Sequence, residues 1–429
     1  MRKAFVLTAS FFLLSFFSCK DDKDTQVPSV VILNPVENSE YEVLGQVFVK
    51  ANVYDNEVVE SVQVSLISDD SRNKVLPSVD LKVGQKDYLL EYTFEISDSL
   101  LSTGRYYLQI EAFDGENRTS SFRYINIQGM NKEQMGVFVT CSDDLTADLY
   151  FDQNQFIFQR IHQFGKQYQG AIFNRFNQEF WFLPKNNNEI EMYDPVKGSA
   201  TFSKVFNSNF PNSFGTIKKD NRDVRFTVAD IGVKGFNQNQ NENYTYLTPA
   251  TKKVESLGVG ELANVVEEVD RNGGNRFLIV LNKSTGASLR ARNIFSDVVD
   301  IQFIDDESAL VFCNTAQGGK GMLFNINTTA LQTNLFSCDS IREVIKTNVG
   351  DFVISTKSTI QIYRPTGNGN LVNYLTIRDA VLAYDDLNNQ VYVGFGTQLR
   401  VYNYRQISAV RSISMPNKIV GINVKFNQF

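Results

Sequence analysis

The feature that most constrains the fold is a short, apolar, alternating segment that recurs from residue 169 to residue 426. The copies read QGAIFN (169–174), SFGTIKK (213–219), LANVVEEV (262–269), DVVDIQF (297–303), SIREVIKT (340–347), DAVLAYD (379–385) and KIVGINVKF (418–426). Their starts lie 35 to 49 residues apart, and their mean spacing of about 41 is the length of one four-stranded propeller blade. We therefore predict a β-propeller in which each copy is a first strand.

The two ends of this region predict how the ring closes. The last copy has no strands after it. Residues 136–164 supply three strands that lack a first strand, and these read GVFVTC, ADLYFDQ and FIFQRIHQF. Joining them makes a seventh blade and hides two open sheet edges. The sequence thus predicts a seven-bladed β-propeller over residues 135–429, closed by its N- and C-terminal strands. It carries no Gly-His/Trp-Asp pairing, no Asp-box and no kelch di-glycine with spaced aromatics.

A second all-β domain is predicted over residues 29–129. Seven strand-like runs (VVILNP, QVFVKANVYD, VESVQVSLIS, SVDLKV, DYLLEYTFEI, GRYYLQIEAFDG and SSFRYINI) alternate with turn signals such as DNE, SDDSRN, GQK and DGENR, a spacing typical of a sandwich. The pattern Gly104-x-Tyr106-x-Leu108-x-Ile110-x-Ala112-x-Asp114 resembles the penultimate strand of bacterial immunoglobulin-like (Ig-like) domains. That resemblance implies a tyrosine corner at Tyr106 and a spacer role, with direct ligand binding as the alternative.

The N-terminus, MRKAFVLTASFFLLSFFSCKDDKD, has the proportions of a secretory signal. Two basic residues precede an apolar run over 4–17, which is too short for a bilayer that needs about 20 residues. Ser18 then precedes Cys19, and this arrangement resembles a bacterial lipoprotein signal over residues 1–18. The resemblance implies a lipidated Cys19, although Phe16 stands where the family usually has Leu. An ordinary cleaved signal followed by a structural cysteine is the alternative.

Residues 19–28 form a charged tether. Their run KDDKD resembles the Lys-plus-acidic export signal of Bacteroidetes surface lipoproteins, which implies an outer-membrane protein facing the exterior. A plain solvated tether is the alternative reading of such a charge run. Two or more acyl chains on Cys19 would anchor the protein stably to the membrane.

Charge and cysteine usage exclude several classes of protein. Without residues 1–18, 40 basic residues stand against 48 acidic ones, a net charge of about −8, and no basic stripe is present. We therefore expect no nucleic-acid partner. Besides Cys19 the chain has Cys141, Cys313 and Cys338, which form no disulfide framework. Cys141 and Cys313 lie in apolar strands and are predicted to be buried free thiols.

The single histidine, His162, limits metal and nucleophile chemistry. Zinc and non-haem iron sites usually need several histidines or a cysteine set, and calcium needs an oxygen-rich loop such as DxDxDG. The sequence carries none of these, nor a GxSxG elbow. We assign no metal, no cofactor and no catalytic residue, and predict a structural or surface role for His162.

Carboxylate-based hydrolysis remains open, because glycosidases need only two carboxyl groups about 5–10 Å apart. The acidic candidates on or just after predicted first strands are Glu267, Glu268, Asp270, Asp300, Asp305, Asp306 and Asp385. The pairs Asp305-Asp306 and Asp385-Asp386 lie in turn sequences, where Asp usually bonds to the main chain.

Ligands usually meet a propeller at one end of its channel. The loops predicted there are His162–Gln169, Lys185–Asn188, Phe206–Asn212 and Gly318–Lys320. Tyr168 and Phe210 are the aromatic candidates for stacking on a ligand, with capping of blade ends as the alternative. Asp98-Ser99-Leu100 and Asp339-Ser340-Ile341 resemble the O-glycosylation acceptor of Bacteroidetes periplasmic proteins, which implies modification of Ser99 and Ser340.

These features together indicate a lipid-anchored surface protein that binds and does not catalyse. The arrangement is similar to surface lipoproteins that work beside TonB-dependent transporters, including cobalamin-capturing propellers and glycan-binding modules. That similarity implies capture of a nutrient or glycan. Adhesion to, or assembly with, another cell-surface protein is the first alternative, and an extracellular carbohydrate-active enzyme is the second.

Overall fold

The structure is a computed structural model that describes residues 25–69, 72–98, 101–143, 145–153, 155–210, 213–220, 223–237, 239–272, 274–366 and 369–427. These ranges contain β-strands and no helix. The chain divides into two compact units, an N-terminal unit that ends at Asn131 and a C-terminal unit that begins at Lys132. The predicted signal over 1–18 and Cys19 lie outside the described residues.

The described part of the N-terminal unit contains six strands. They are β1 (Ser29–Asn34), β2 (Ser39–Glu42), β3 (Gln46–Ser68), β4 (Val79–Glu95), β5 (Gly104–Phe113) and β6 (Arg118–Gln128). The strand order is β1-β3-β5-β6-β2, with β4 paired to β3. The first part of β3 pairs with β1 and with the end of β4, and its last part pairs with β5 and the start of β4.

Two predicted turns in this unit are wrong. DNE (55–57) lies inside β3 and GQK (84–86) lies inside β4, so four predicted runs are two long strands. The β3–β4 ladder shifts register between Tyr54 and Ser61, and such irregularities accommodate turn-forming residues without ending a strand. The short strand β2, which pairs in parallel with β6, was not predicted.

The alternation of β5 places one row of side chains in the core of this unit. Leu108, Ile110 and Ala112 have no exposed surface, and Tyr106 is 4% exposed. The Tyr106 hydroxyl donates a hydrogen bond of 2.8 Å to the main-chain oxygen of Ser102. This is the contact that a tyrosine corner makes with the chain a few residues upstream.

The described part of the C-terminal unit forms seven four-stranded antiparallel sheets. Three strands come first in the chain: β7 (Gln134–Ser142), β8 (Ala147–Asp152) and β9 (Gln159–Phe164). Sheet 1 contains β10 (Gln167–Asn174), β11 (Glu179–Lys185), β12 (Glu189–Asp194) and β13 (Ser199–Val205). Sheet 2 contains β14 (Phe214–Asp220), β15 (Asp223–Val228), β16 (Gly232–Phe236) and β17 (Glu242–Leu247). Sheet 3 contains β18 (Lys252–Val259), β19 (Ala263–Asp270), β20 (Arg276–Asn282) and β21 (Ser288–Ile294).

The remaining sheets continue this order. Sheet 4 contains β22 (Asp297–Phe303), β23 (Ser308–Thr315), β24 (Gly318–Asn325) and β25 (Leu331–Cys338). Sheet 5 contains β26 (Ile341–Lys346), β27 (Phe352–Thr356), β28 (Ile360–Tyr363) and β29 (Leu371–Leu375). Sheet 6 contains β30 (Val381–Asp385), β31 (Gln390–Phe395), β32 (Gln398–Asn403) and β33 (Ala409–Ser414). Sheet 7 joins the last strand, β34 (Lys418–Phe426), to β7, β8 and β9.

The sheets close into a ring. The first strands β10, β14, β18, β22, β26, β30 and β34 contact one another in that order, and β34 also contacts β10. The antiparallel pairing of β34 with β7 is the one that the sequence predicts. A closed ring of four-stranded sheets around a central channel is the architecture of a β-propeller.

One predicted first strand is wrong. LANVVEEV forms β19, the second strand of sheet 3, and the first strand is β18, KKVESLGV. Seven of the eight residues of β19 are buried, as expected of an interior strand covered on both faces. The more apolar run was mistaken for the channel strand. The correct start at Lys252 also makes the repeat spacing more even.

The core of the ring lies between neighbouring sheets. Trp181 on β11 is 1% exposed, and its ring centroid lies 5.9 Å from that of Phe236 in sheet 2. Cys141 and Cys313 are fully buried and unpaired, which confirms the prediction for both thiols. His162 stacks on Tyr193 at 4.7 Å, so it has a structural environment.

Candidate functional site

The candidate site is a cavity of about 720 Å³ at one end of the central channel. The first strands of six sheets line it near their beginnings, and sheet 3 is the exception. Its polar lining consists of Gln169, Thr216, Lys218, Asp300, Arg342, Glu343, Asp379 and Lys418, with one aromatic side chain, Tyr168. Concave sites of this size, with a few convergent polar groups, are the usual form of small-molecule sites.

A recurrent irregularity of the first strands shapes the cavity wall. In six sheets the ladder between the first and second strands shifts register near the start of the first strand. Three of these shifts end at Gly170, Asp300 and Glu343, all of which line the cavity. Bulges interrupt strict alternation and re-aim side chains, and here they coincide with polar groups on the channel wall.

An ion pair joins two walls of the cavity. Lys218 Nζ lies 2.7 Å from Asp300 Oδ1, and their side chains are 22% and 9% exposed. Asp300 also accepts hydrogen bonds from the amide of Ile301 at 2.8 Å and from Gln302 Nε2 at 2.7 Å. These donors hold the Asp300 carboxylate in a fixed orientation.

Glu343 lines the same cavity, but its protonation differs from that of Asp300. Its Oε2 accepts a 2.7 Å hydrogen bond from the amide of Leu382 on sheet 6. Burial raises the pKa of Glu343 to about 8 against the effect of this bond, and the charge of Asp300 adds to the rise while Lys218 opposes it. Glu343 is therefore mainly a neutral carboxylic acid at pH 7.

Tyr168 reaches this wall through space left by a glycine. A Cβ atom added to Gly421 would lie 2.5 Å from the Tyr168 hydroxyl, so only glycine allows this approach. The ring packs 6.1 Å from Phe182. Burial is the main cause of the raised pKa of Tyr168, and Glu343 adds to it once it ionises at alkaline pH. The phenol therefore remains protonated at neutral pH.

The rim of the cavity carries exposed charges. Arg342 Nε lies 2.9 Å from Asp379 Oδ1, and both side chains are at least half exposed. Lys418 at the start of β34 is also exposed. Each carboxylate of this site is thus matched by a cation, apart from the neutral Glu343.

A second cavity of about 580 Å³ adjoins the first. The two share Gln169, Gly215 and Thr216, and the second is lined further by Phe210 and by Glu255 on β18. Arg271 lies 5.3 Å above the Phe210 ring. The aromatic candidates Tyr168 and Phe210 therefore line adjoining cavities.

Two of the four predicted loops lie largely within strands. His162–Gln169 is mostly strand, because β9 ends at Phe164 and β10 begins at Gln167. Gly318–Lys320 begins β24 and does not form the turn before it. Lys185–Asn188 and the described part of Phe206–Asn212 connect strands as predicted.

Six of the seven acidic candidates separate into three groups, and the seventh, Asp306, is exposed between β22 and β23. Asp300 lines the cavity. Asp305 and Asp385 accept main-chain hydrogen bonds from Glu307 and Leu387, both at 2.9 Å, as predicted for turn residues. Contrary to prediction, Glu267, Glu268 and Asp270 belong to the second strand β19.

Glu343 was missed by the sequence reasoning, although it shares one signal with Lys218 and Asp300. Each is a charged residue that directly adjoins an aliphatic residue within a first strand.

The two candidate O-glycosylation sites are Ser99 and Ser340. Ser99 lies outside the described residues. Ser340 is half-buried just before β26, and its amide donates a 2.7 Å hydrogen bond to Asp339 Oδ1. Within the described ranges, no group of three or more His, Cys, Asp or Glu side chains is arranged to hold a metal ion. No helix in those ranges is long and apolar enough to cross a membrane.

Comparisons with known proteins find similarity in structure at low sequence identity. No protein-family model matches the chain, and no curated protein matches it. AztD of Citrobacter koseri is similar in structure at 8% identity, over 68% of this chain and 98% of its own, with a TM-score of 0.45. The propeller domain of Cps50 (Swd1) from Myceliophteria thermophila is similar at 10% identity, over 60% and 88%, with a TM-score of 0.47. A quinoprotein alcohol dehydrogenase-like protein of Bacteroides thetaiotaomicron is similar at 10% identity, over 92% and 96%, with a TM-score of 0.40.

Proposed function

We propose that this protein is a lipid-anchored outer-membrane protein, facing the exterior, that captures a glycan or another small polar nutrient in its central channel. Its function is binding without catalysis, beside a TonB-dependent transporter that takes the ligand onward. The polar cavity of about 720 Å³ carries this proposal, because it offers hydrogen-bonding groups on several walls and one aromatic surface. Function does not follow from the fold alone.

The finer architecture is part of the proposal. Each four-stranded sheet is one blade of a seven-bladed propeller, which the cyclic contacts of the first strands support. The N-terminal unit is an Ig-like sandwich that acts as a spacer. The hydrogen bond from Tyr106 to Ser102 supports this assignment, as does β3, whose two parts pair with different strands around one core.

The membrane anchor rests on the N-terminal sequence. The apolar run over 4–17, Ser18, Cys19 and the KDDKD tether support lipidation and export. Metabolic labelling with an alkyne-tagged fatty acid tests this point directly. We expect label on the wild-type protein and none on Cys19→Ala, with Cys338→Ala as the matched cysteine control that retains it.

Capture is tested by a gentle detergent pull-down of the C-terminally tagged protein from its native outer membrane, read by mass spectrometry. A stoichiometric TonB-dependent transporter would support capture, and that transporter's substrate would be the ligand to test. Recovery with unrelated cell-surface proteins would favour adhesion or assembly instead. Recovery of the protein alone would contradict the proposed partnership.

One observation favours a second candidate function, an extracellular carbohydrate-active enzyme. Asp300 and Glu343 line one cavity, and Asp300 contributes to the raised pKa of Glu343. An ionised and a neutral carboxyl group together are what glycoside hydrolysis requires. Incubating the protein with surface polysaccharide and measuring released reducing ends tests this candidate, with Glu343→Gln expected to abolish any release.

A further inference from the structure

Strand β4 (Val79–Glu95) is a long open edge of the N-terminal unit. It pairs with β3 on one side, and no strand of the described residues pairs with its other side. An edge of 17 residues therefore presents a row of main-chain donors and acceptors to which another strand can be added.

The core of this unit is incompletely covered at the same edge. Seven partly buried apolar side chains pack against that core, and five of them belong to β4, namely Val79, Leu81, Val83, Tyr88 and Tyr92. On the other face of the strand, Leu89 is 49% exposed. A strand added at this edge would remove more of this apolar surface from water, which favours association.

A bulge in β4 restricts which partner strand fits. Odd-numbered residues such as Leu81 face the core before Gly84, whereas even-numbered residues such as Leu90 and Phe94 face it further along the strand. Gly84 has a φ of +70°, and the β3–β4 ladder shifts register beside it. The extra residue of a bulge accounts for this change of face.

This change of face suits a second β4 in particular. Identical strands related by a two-fold axis through the sheet pair antiparallel, so the part of one strand before Gly84 meets the part of the other after it. Side chains of the two strands then share a face only where an odd-numbered residue meets an even-numbered one. The bulge provides this match for a second copy of the chain.

One register of this kind matches on the inner face. It sets residues 79–83 of one copy opposite residues 90–94 of the other. The inner pairs are then Val79 with Phe94, Leu81 with Tyr92 and Val83 with Leu90. All three pairs are apolar, so the two cores become continuous across the new strand pair.

The same register matches charges on the outer face. Lys82 meets Glu91 and Asp80 meets Thr93, all of them exposed in one copy. A slip of two residues in either direction keeps the faces matched but sets Asp80 opposite Glu91 or Glu95. Like charges directly opposite each other are unfavourable, so the charges select the first register over both slips.

We infer that the occupant of the β4 edge is a second copy of this chain, paired antiparallel about a two-fold axis near Lys86. Each Lys82 forms an ion pair with Glu91 of the other copy. Glu91 already lies 2.6 Å from Lys50 of its own chain, and a carboxylate can accept from both cations. This inference goes beyond the proposed function and does not depend on the channel.

Native mass spectrometry of the complete tagged protein in detergent, over a series of concentrations, tests the dimer. Lys82→Glu places like charges opposite each other twice and should raise the dissociation constant about tenfold. The triple variant Lys50→Glu/Lys82→Glu/Glu91→Lys reverses the whole cluster and should restore the wild-type constant. Lys197→Glu makes the same change of charge at an exposed side chain of the C-terminal unit and should leave the dimer unchanged.

Cysteine cross-linking tests the register. Proteins carrying Lys82→Cys and Glu91→Cys, each with Cys338→Ser, are mixed, allowed to exchange subunits and oxidised. A covalent heterodimer is expected. Lys82→Cys oxidised by itself is the control, because the two copies of this residue would lie about 30 Å apart in the dimer and should not cross-link.

Three outcomes would overturn the inference. The first is a protein that stays monomeric throughout the concentration series. The second is a dimer that Lys82→Glu leaves unchanged, since its contact would then lie on another face. The third is a disulfide, formed in oxidised intact cells, between Glu91→Cys and a different protein without any homodimer, because β4 would then take a strand of that protein. The proposed capture of a ligand is tested separately and survives all three.

Discussion

Lys218 Nζ lies 2.7 Å from Asp300 Oδ1, although their strands belong to sheets 2 and 4 and sheet 3 follows between them in the chain. The contact therefore links two sheets that are not neighbours in the ring. Both residues line the channel cavity, whereas β18 contributes no residue to it and lines the adjoining cavity instead.

We predict that this ion pair stabilises the ring measurably. Lys218→Met and Asp300→Asn should each lower the free energy of unfolding by about 1–2 kcal/mol, because each leaves a partly buried group without its partner. The double variant should lose less than the sum, with a coupling energy of about 1 kcal/mol. Urea unfolding of the four proteins gives this coupling energy.

The pair Arg342–Asp379 is the matched control. It lines the same cavity at a similar distance of 2.9 Å, but its side chains are 50% and 55% exposed. Exposed pairs usually couple by less than about 1 kcal/mol. If both cycles gave the same small coupling, the partial burial of Lys218 and Asp300 would have no energetic consequence and this prediction would be wrong.

A second prediction concerns the close approach of Tyr168 to Gly421. Gly421→Ala should destabilise the protein by about 1–3 kcal/mol, because the added methyl group overlaps the Tyr168 hydroxyl and ring. Tyr168→Phe in the same chain should recover part of the loss, since it removes the nearest atom. Thermal unfolding of the single and double variants measures both effects.

Gly170→Ala is the control for this substitution, because its new Cβ would lie 3.5 Å from Ile217, an ordinary contact on the same cavity. We expect its stability to stay within about 0.5 kcal/mol of wild type. Equal losses at Gly421 and Gly170 would show that the Tyr168 contact is not the cause.

The ring could be predicted from the sequence because its pattern is repeated. Six of the seven proposed first strands occupy that position, and β34 was predicted with its exact partner β7. The prediction of the first strand of sheet 3 was wrong for a physical reason. Periodicity identifies a buried strand, but an interior strand such as β19 is more apolar than the strand at the channel, so hydrophobicity favoured the wrong one.

The site was less predictable because it depends on irregular backbone. Strict alternation assigns each residue of a strand to one face, but the ladders of five first strands that line the cavity shift register. The sequence therefore does not tell which face receives Asp300 or Glu343. The pairing of residues as distant as Lys218 and Asp300 likewise depends on ring geometry, which no local pattern encodes.

A third prediction follows from the burial of the thiols. Cys141 and Cys313 have no exposed surface, and burial raises the pKa of both to about 12. Neither should react with Ellman's reagent at pH 8 in the native protein, since the thiolate is the reactive form. Cys338 is half-buried and should react slowly. Unfolding in guanidinium should expose both buried thiols, and rapid native reaction of either would contradict the packing.

A fourth prediction uses Trp181, the only tryptophan of the chain, as a reporter. Its Nε1 donates a 3.2 Å hydrogen bond to Glu179 Oε2. Burial raises the pKa of Glu179 to about 7, so this carboxyl ionises near neutral pH and the field on the indole changes with it. Tryptophan emission should show a transition near pH 7 that Glu179→Gln removes.

The ionisation of Glu179 should also make the stability of the protein depend on pH, and the raised pKa fixes the direction of that dependence. The pKa of Glu179 is higher in the folded protein than its ordinary value of 4.5, so the native state holds more protons between these values. Its contribution to stability is therefore complete below about pH 4.5 and is lost as the pH rises through 7. Glu179→Gln should flatten this part of the profile. Glu267→Gln, which removes another buried acid of pKa about 7 in sheet 3, should leave the tryptophan transition unchanged; if it removed that transition, Glu179 would not be its origin.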